Sequence, residues 1–186
     1  MRIVAGSAKG RLLAGPKGED VIRPTSDRVR QALFNVLGQW CEGLTVLDLF
    51  AGTGALALEA LSRGAAKAVL VDSGREALAL CAQNAKALGF EAQVEVLAST
   101  FERALPRLKG RRFELVFADP PYALQAGRAV LEGLLAHELL APGATVVVEH
   151  ARQEVLAERV GALERVDERT YGDTHVSIFR LTGPST

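Results

Sequence analysis

The stretch Val46-Leu47-Asp48-Leu49-Phe50-Ala51-Gly52-Thr53-Gly54-Ala55 does most to limit what this chain can fold into. An apolar run ends in an acid, a glycine-rich turn follows, and a helical pattern begins. Strand, tight glycine turn and helix together make a nucleotide-type pocket at the carboxyl ends of the strands in a parallel α/β sheet. Gly52 and Gly54 let the backbone come close to a ligand with no Cβ in the way. A second acid, Asp72, ends the next apolar run, Ala68-Val69-Leu70-Val71, eighteen residues after Gly54. A carboxylate at that place can accept hydrogen bonds from both hydroxyls of a ribose.

The rest of the chain repeats the alternation. Strands are expected at 45–50, 67–72, 93–98, 113–118 and 144–149, with helices at about 54–63, 75–88, 100–108 and 126–140. Strands of continuous Val, Leu and Phe suit a sheet with helices on both faces. Residues 162–170 and 174–182 read as two strands joined by Tyr171-Gly172-Asp173. No helix separates them, so they form an antiparallel hairpin. At the other end, residues 1–5 and 10–14 read as a β-hairpin from which Arg2, Lys9 and Arg11 project. Pro24-Thr25-Ser26-Asp27 then opens a helix, with Thr25 or Ser26 as N-cap. Val29, Leu33, Val36, Leu37 and Trp40 recur at helical spacing and predict one buried face, with Arg28 and Arg30 off it and Glu42-Gly43 as the stop.

A length of 186 residues fits one domain with a small appendage: a hairpin extension over 1–22 and a main domain over 23–186. No apolar run reaches the roughly 18 residues of a membrane span. Met1-Arg2-Ile3-Val4 is too soon interrupted to be a signal peptide. Cys41 and Cys81 lack metal-type spacing and read as reduced thiols of an intracellular, cytoplasmic protein. Net charge is zero, but residues 1–35 carry seven Lys/Arg against three Asp/Glu. That basic arm on a neutral chain suits a local contact with an anionic polymer, though an ordinary solvated surface has the same look.

The glycine pattern alone fits NAD enzymes and S-adenosylmethionine enzymes equally. Asp119-Pro120-Pro121-Tyr122, at the end of the run Leu115-Val116-Phe117-Ala118, sharpens it. Together the two motifs resemble the amino-group methyltransferases that use S-adenosylmethionine. Two further blocks are more specific. Arg23-Pro24-Thr25-Ser26-Asp27-Arg28-Val29-Arg30-Gln31-Ala32-Leu33-Phe34-Asn35 and Leu58-Glu59-Ala60-Leu61-Ser62-Arg63-Gly64-Ala65 resemble the RsmD family over nearly the whole chain. That family methylates the N2 amino group of one guanine in 16S ribosomal RNA. The resemblance implies a Rossmann-like methyltransferase fold with seven strands in the order 3-2-1-4-5-7-6, the last one antiparallel.

The resemblance also implies roles. Phe50, Ala51, Gly52, Thr53 and Gly54 would form the turn against the methionine part of the cofactor, with Asp48 near its amino group. Asp72 would take the ribose hydroxyls with Ser73 beside it, and Ser99 and Thr100 would lie near adenine. Many relatives have an acid at that third strand end; here Ser99 serves equally well as a helix N-cap. An exocyclic amine is a poor nucleophile because its lone pair is delocalised into the ring. Asp119 and the Pro120 carbonyl would accept its hydrogens. Two consecutive prolines, Pro120 and Pro121, stiffen the corner and remove two N–H donors. Tyr122 would stack on the base, at roughly 1–3 kcal/mol. The cofactor carries its own leaving group, so no metal is expected.

Lys9, Arg11, Arg23, Arg28 and Arg30 are the candidate phosphate contacts. Arg23 and Arg28 have a rival role in bracing the Thr25-Ser26-Asp27 turn or fixing the cofactor carboxylate. His137, His150 and His175 lack ligand spacing and read as structural, and Tyr171-Gly172-Asp173-Thr174 reads as a turn. The expected partner is 16S ribosomal RNA within a small-subunit assembly intermediate, met by a monomer with no membrane association. The alternatives are an adenine-N6 methyltransferase, an NAD-dependent oxidoreductase and a non-catalytic RNA-binding factor. The Asp-Pro-Pro-Tyr turn and the short chain stand against the oxidoreductase.

Overall fold

The computed structural model describes residues 1–17 and 24–183. Its centre is an eight-stranded sheet: β1 (Thr45–Asp48), β2 (Lys67–Asp72), β3 (Val94–Ala98), β4 (Phe113–Ala118), β5 (Leu140–Ala151), β6 (Arg159–Val160), β7 (Leu163–Tyr171) and β8 (Thr174–Leu181). The spatial order is β3-β2-β1-β4-β5-β8-β7-β6. The first five strands pair in parallel with one another, and β8 enters antiparallel between β5 and β7. This is the Rossmann-like methyltransferase order expected from the resemblance, with one addition. The two-residue strand β6 extends the far edge by pairing with β7.

Side-chain alternation along these strands builds two cores. Val46, Leu70, Leu115, Phe117 and Val147 face one way and pack with α1 (Pro24–Val36), α2 (Ala55–Ser62) and α3 (Arg75–Leu88). Leu47, Val69, Val71, Val116 and Val146 face the other way, onto α4 (Phe101–Arg107) and α5 (Gly127–Ala136). Burial on both faces explains why these strands are apolar without interruption. No helix among the described residues is long and apolar enough to cross a membrane.

Two expected boundaries move. The first helix stops at Val36 rather than at Glu42-Gly43, because Gly38 (φ 97°) and Gln39 (φ 65°) take left-handed backbone. The Gln39 amide bonds back to the Phe34 carbonyl at 2.7 Å and closes that end. The expected apolar stripe is therefore cut short: Val36 is exposed and Trp40 is 67% exposed, while Leu33 and Phe34 carry the burial. The fifth helix stops at Ala136 instead of residue 140, since Glu138 turns to φ 53° and Leu140 already pairs with Phe113.

The amino-terminal hairpin is short, held by the Arg2–Leu12 bridge and by amide bonds such as Ile3 to the Arg11 carbonyl at 2.9 Å. It does not stand apart from the main body. Ile3, Ala8 and Leu13 are buried in the first core. The Ser7 amide donates to the Ser62 carbonyl at 2.7 Å, and the Ser62 hydroxyl donates to the Ala5 carbonyl at 2.6 Å. Gly6, at φ 82°, permits this contact, because a Cβ there would lie 1.7 Å from the Ser62 carbonyl oxygen.

The clamp continues through one buried acid. Glu59, fully buried in α2, accepts from the amides of Val4 (2.9 Å) and Ala5 (3.0 Å). It also accepts from Arg30 Nε (3.2 Å) and Arg63 Nε (2.9 Å). Arg63 lies 4.5 Å over the Phe34 ring and donates to the Gln39 carbonyl at 3.0 Å. The two blocks that resemble one family thus meet as a single buried network. Removing one partner of such a network strands the others without solvent. Glu59→Ala is expected to cost about 3–5 kcal/mol, read as a lowered urea midpoint. A loss under about 1 kcal/mol, the range of an exposed pair, would show that the network carries little.

Candidate active site

β1 lies where the chain reverses its direction of travel across the sheet. β2 and β3 follow on one side, and β4 and β5 on the other. Open α/β sheets hold ligands at the carboxyl end of such a switch point. Beyond β1 the Leu49 amide still bonds to the Phe117 carbonyl of β4, whereas the Ala51 amide bonds to the Val71 carbonyl of β2, each at 3.0 Å. The glycine turn therefore crosses from one side of the crevice to the other. Gly52 (φ 57°) and Gly54 (φ 81°) both need the left-handed backbone. A Cβ on Gly52 would meet nothing within 4 Å, so the space over it is open. Gly54 differs, because a Cβ there would lie 3.0 Å from Leu70.

A cavity of about 580 Å³ opens above this turn, a size typical of small-ligand sites. Asp48, Phe50, Ala51, Gly52 and Thr53 line one part of it, and Asp119 lines it as well. Sequence positions 50–53 and 119 thus face one space. Gly54, Asp72, Ser73, Ser99 and Thr100 lie outside that lining, at the neighbouring ends of β2 and β3 and the start of α2, and so do Pro120, Pro121 and Tyr122, which follow Asp119. Asp72 is nevertheless fastened to the turn. Its Oδ2 accepts from the Gly52 amide at 2.9 Å and its Oδ1 from the Gly74 amide at 2.7 Å. The Ser99 amide donates to the Asp72 carbonyl at 3.0 Å. Thr100 occupies the N-cap position of α4 but makes no side-chain cap bond.

On the other side of the switch point, Asp119 follows β4 and Glu149 lies in β5. Ala118 pairs with Val148, so the two acids follow side by side at the carboxyl edge. Pro120 is buried, Pro121 has φ −52° and ψ 130°, and Tyr122 opens a one-turn helix through Leu124. The Tyr122 ring is partly exposed, at 42%. Its hydroxyl lies 2.6 Å from Thr174 Oγ1 and donates to Glu149 Oε1 at 3.3 Å. Glu149, Tyr171 and Thr174 all line the cavity. Sequence pattern assigns none of these three to the site: Tyr171 and Thr174 read as parts of a turn, and Glu149 as the end of a strand. A usable signal was present, since Glu149 ends the apolar run Ala144–Val148 as Asp48 and Asp72 end theirs.

The electrostatics of this space are one-sided. Burial raises the carboxyl of Asp48, which is 1% exposed, to about 7, with a smaller push from Asp72. Asp119 is open to solvent through the cavity yet closely surrounded by protein. Burial, then Glu149, then Asp48 push its carboxyl upward. Glu149 is raised by burial too, while hydrogen bonds from Tyr122 and Thr174 pull it back down. Arg30 is the one Lys or Arg among the described lining residues, and Asp27 (2.8 Å) and Glu59 (3.2 Å) already engage it. Among the described lining residues carboxylates therefore outnumber unpaired Lys and Arg side chains, which suits a cationic ligand. Cys81, behind the turn, donates to the Gly52 carbonyl at 3.2 Å, and burial pushes its thiol up to about 12, so it remains protonated.

The candidate phosphate contacts divide. Lys9, Arg11 and Arg28 are exposed, with one Arg11 guanidinium nitrogen bonded to the Ala87 carbonyl. Arg23 lies outside the described residues, as do the side chains of Thr25 and Ser26. Arg30 is a correction. It is 4% exposed and spends its donors on Asp27, Glu59 and the Arg2 carbonyl, so it has no path to a phosphate.

Comparison with known proteins adds the context of relatives. The family model described as "Conserved hypothetical protein 95" matches residues 1–180. The Bacillus subtilis (strain 168) protein YlbH is 38% identical over 185 residues, covering 98% of this chain and all of that one. A Haemophilus influenzae protein named ribosomal RNA small subunit methyltransferase D is 32% identical over 158 residues, 84% of this chain and 81% of its own length. The solved structure of yhhF from Escherichia coli superposes with a TM-score of 0.85 at 31% identity and covers 98% of both chains.

The raised acid makes a pH prediction. In the folded state Asp48 keeps a proton that the unfolded chain, at the ordinary value of 3.8, has lost. That contribution is complete below about pH 4 and is lost as pH rises through about 7, with a slope of at most ~1.4 kcal/mol per pH unit. Asp48→Asn should flatten the fall in stability between pH 4 and 7 and raise the thermal midpoint at pH 8. An unchanged slope in denaturation across that range would assign the titration to another group.

Proposed function

The chain belongs to the RsmD family, and from that premise and the cavity's geometry we propose that it transfers a methyl group from S-adenosylmethionine to the N2 amino group of a guanine in small-subunit ribosomal RNA. One observation carries the reading: Asp119 lines one cavity with the glycine turn Phe50–Thr53, and the one Lys or Arg among its described lining residues is already paired with carboxylates. The fit to the cofactor rests on these residues. The open space over Gly52 admits close approach, Asp48 suits an ammonium group, and Asp72, already oriented by two amides, retains lone pairs for ribose hydroxyls. Ser73 would stand beside Asp72 at the ribose, and Ser99 and Thr100, at the end of β3, would lie near adenine. The bound cofactor supplies an electrophilic methyl group on a positively charged sulfur.

The chain's own part is positioning. Asp119 and the Pro120 carbonyl accept the two hydrogens of the amine, which turns the nitrogen lone pair toward the methyl carbon. The cofactor, when bound, would give up its methyl group to that nitrogen and keep the C–S electron pair on its sulfur. The nitrogen then carries a surplus proton, which passes to the Asp119 carboxylate or to water. Acceptance requires Asp119 ionised, and a cation held beside the three acids favours that form. Pro120 and Pro121 keep the corner stiff, and Tyr122 offers its ring to the face of a base turned out of its stack. Lys9, Arg11 and Arg28 are the exposed cations that would meet phosphates of an assembly intermediate bound by a monomer.

Two outcomes test this reading. Asp119→Ala should lower single-turnover tritium transfer from labelled S-adenosylmethionine by about 10²-fold or more, on small-subunit particles from a strain lacking the modification. Near-normal transfer, or label mapped to adenine, overturns the assignment. Replacing Lys9 and Arg11 together should weaken particle binding and reduce its salt slope by about 1–2. Unchanged affinity and slope would remove the hairpin from the interface.

A further inference from the structure

We propose that Glu149 reads the ring N1–H of the target base and so selects guanine over the other bases that carry an exocyclic amine. The inference rests on the methyl-transfer reading above and deepens it. It starts from base chemistry. The reactive amine of adenine is flanked by lone pairs on N1 and N7. That of cytosine is flanked by the N3 lone pair and a C–H. Only in guanine does a ring N–H donor stand next to the amine. An acceptor without hydrogens, placed beside the group that holds the amine, therefore welcomes guanine and repels adenine and cytosine.

Glu149 occupies that place. Ala118 and Val148 are register partners, so Asp119 and Glu149 leave neighbouring strands at the same edge and line the same cavity. Both stand on the β4–β5 side of the switch point, away from Asp72 and Ser99 on the β2–β3 side. Glu149 is also held in position. Its Oε1 accepts from the Tyr122 hydroxyl at 3.3 Å, and that hydroxyl is 2.6 Å from Thr174 Oγ1. Burial raises the Glu149 carboxyl, and the donors aimed at it work against that, toward the ionised, acceptor-only form. An ionised carboxylate has about four lone-pair sites, so capacity remains for a base. The Tyr171–Thr174 turn thus gains a purpose: Thr174 braces the hydroxyl of Tyr122 while the ring of Tyr122 is left for the base. Sites built to pair a polar group reject analogues that leave it facing a lone pair.

The experiment uses 2-aminopurine, which keeps the reactive N2 amine but has a lone pair at N1 and a C–H in place of the 6-oxo group, so the guanine preference is read in wild type and in Glu149→Gln together. Small-subunit particles are reconstituted with RNA carrying either guanine or 2-aminopurine at the mapped position, and single-turnover tritium transfer is compared. The wild-type protein should prefer guanine by about 10²-fold. In Glu149→Gln the amide can turn its N–H toward N1, so the preference should shrink tenfold or more, whatever happens to the absolute rate. A wild-type protein that methylates both bases equally overturns the inference without any variant, and so does an unchanged ratio in a folded Glu149→Gln protein. Absence of transfer to guanine in wild type is a separate result, which overturns the methyl-transfer reading itself.

Discussion

A single buried carboxylate sets the conditions for everything near the crevice. Glu59 accepts from two backbone amides of the first residues and from the side chains of Arg30 and Arg63. With the acid in place, the amino-terminal segment, α1 and α2 become one body. Met1, Val29 and Leu33 are thereby brought to the cavity wall opposite the acids of the sheet edge. A charge this deeply buried is tolerable only because four donors surround it. The same donors explain why Arg30 is unavailable to a polymer. Basic residues of the amino-terminal region thus serve two purposes, an internal one for Arg30 and an external one open to Lys9, Arg11 and Arg28.

The sheet edge sorts the chemistry by strand. On the β1–β2 side, Asp48 and Asp72 meet a glycine turn whose backbone is free to approach a ligand. On the β4–β5 side, Asp119 and Glu149 stand together, and Glu149 is braced by Tyr122, whose hydroxyl meets Thr174 of the terminal hairpin. The antiparallel insertion of β8 beside β5 brings that hairpin to the cavity, because it places Val176 opposite Glu149 and leaves Thr174 at the rim. A parallel strand in the same place would need a long crossover and could not present a two-residue turn there. Clustered acids with no unpaired Lys or Arg among the described lining residues disfavour the empty, fully ionised state. A cation entering the cavity relieves that cost, so the arrangement favours binding and ionisation together.

Much of the architecture was legible before any coordinates, for identifiable reasons. The parallel strands announced themselves as apolar runs since both faces of the sheet are covered. The glycine turn and Asp72 were legible because a strand–turn–helix leaves a fixed pattern in sequence. The hairpin of β7 and β8 was legible because no helix separates the two strands. Local pattern and tertiary packing disagree in two places. The stripe from Val29 to Trp40 had helical spacing, yet the backbone reverses hand at Gly38 and Gln39 and leaves Trp40 in solvent. Arg30 looked like a surface cation because its partners, Glu59 and the Arg2 carbonyl, lie 29 and 28 residues away.

By itself the sequence determined the sheet class, the glycine turn at the end of β1 and the presence of Asp48, Asp72 and Asp119 at strand ends. Those features depend on short-range pattern, on alternation and on the backbone freedom of glycine, all of which can be read from neighbouring residues. Tertiary structure alone decided that Glu59 is the internal anchor and that Glu149 and Thr174 belong to the cavity with Asp119. Which carboxylate is buried against which donor depends on strand order and register, and these bring together residues 27 to 55 positions apart.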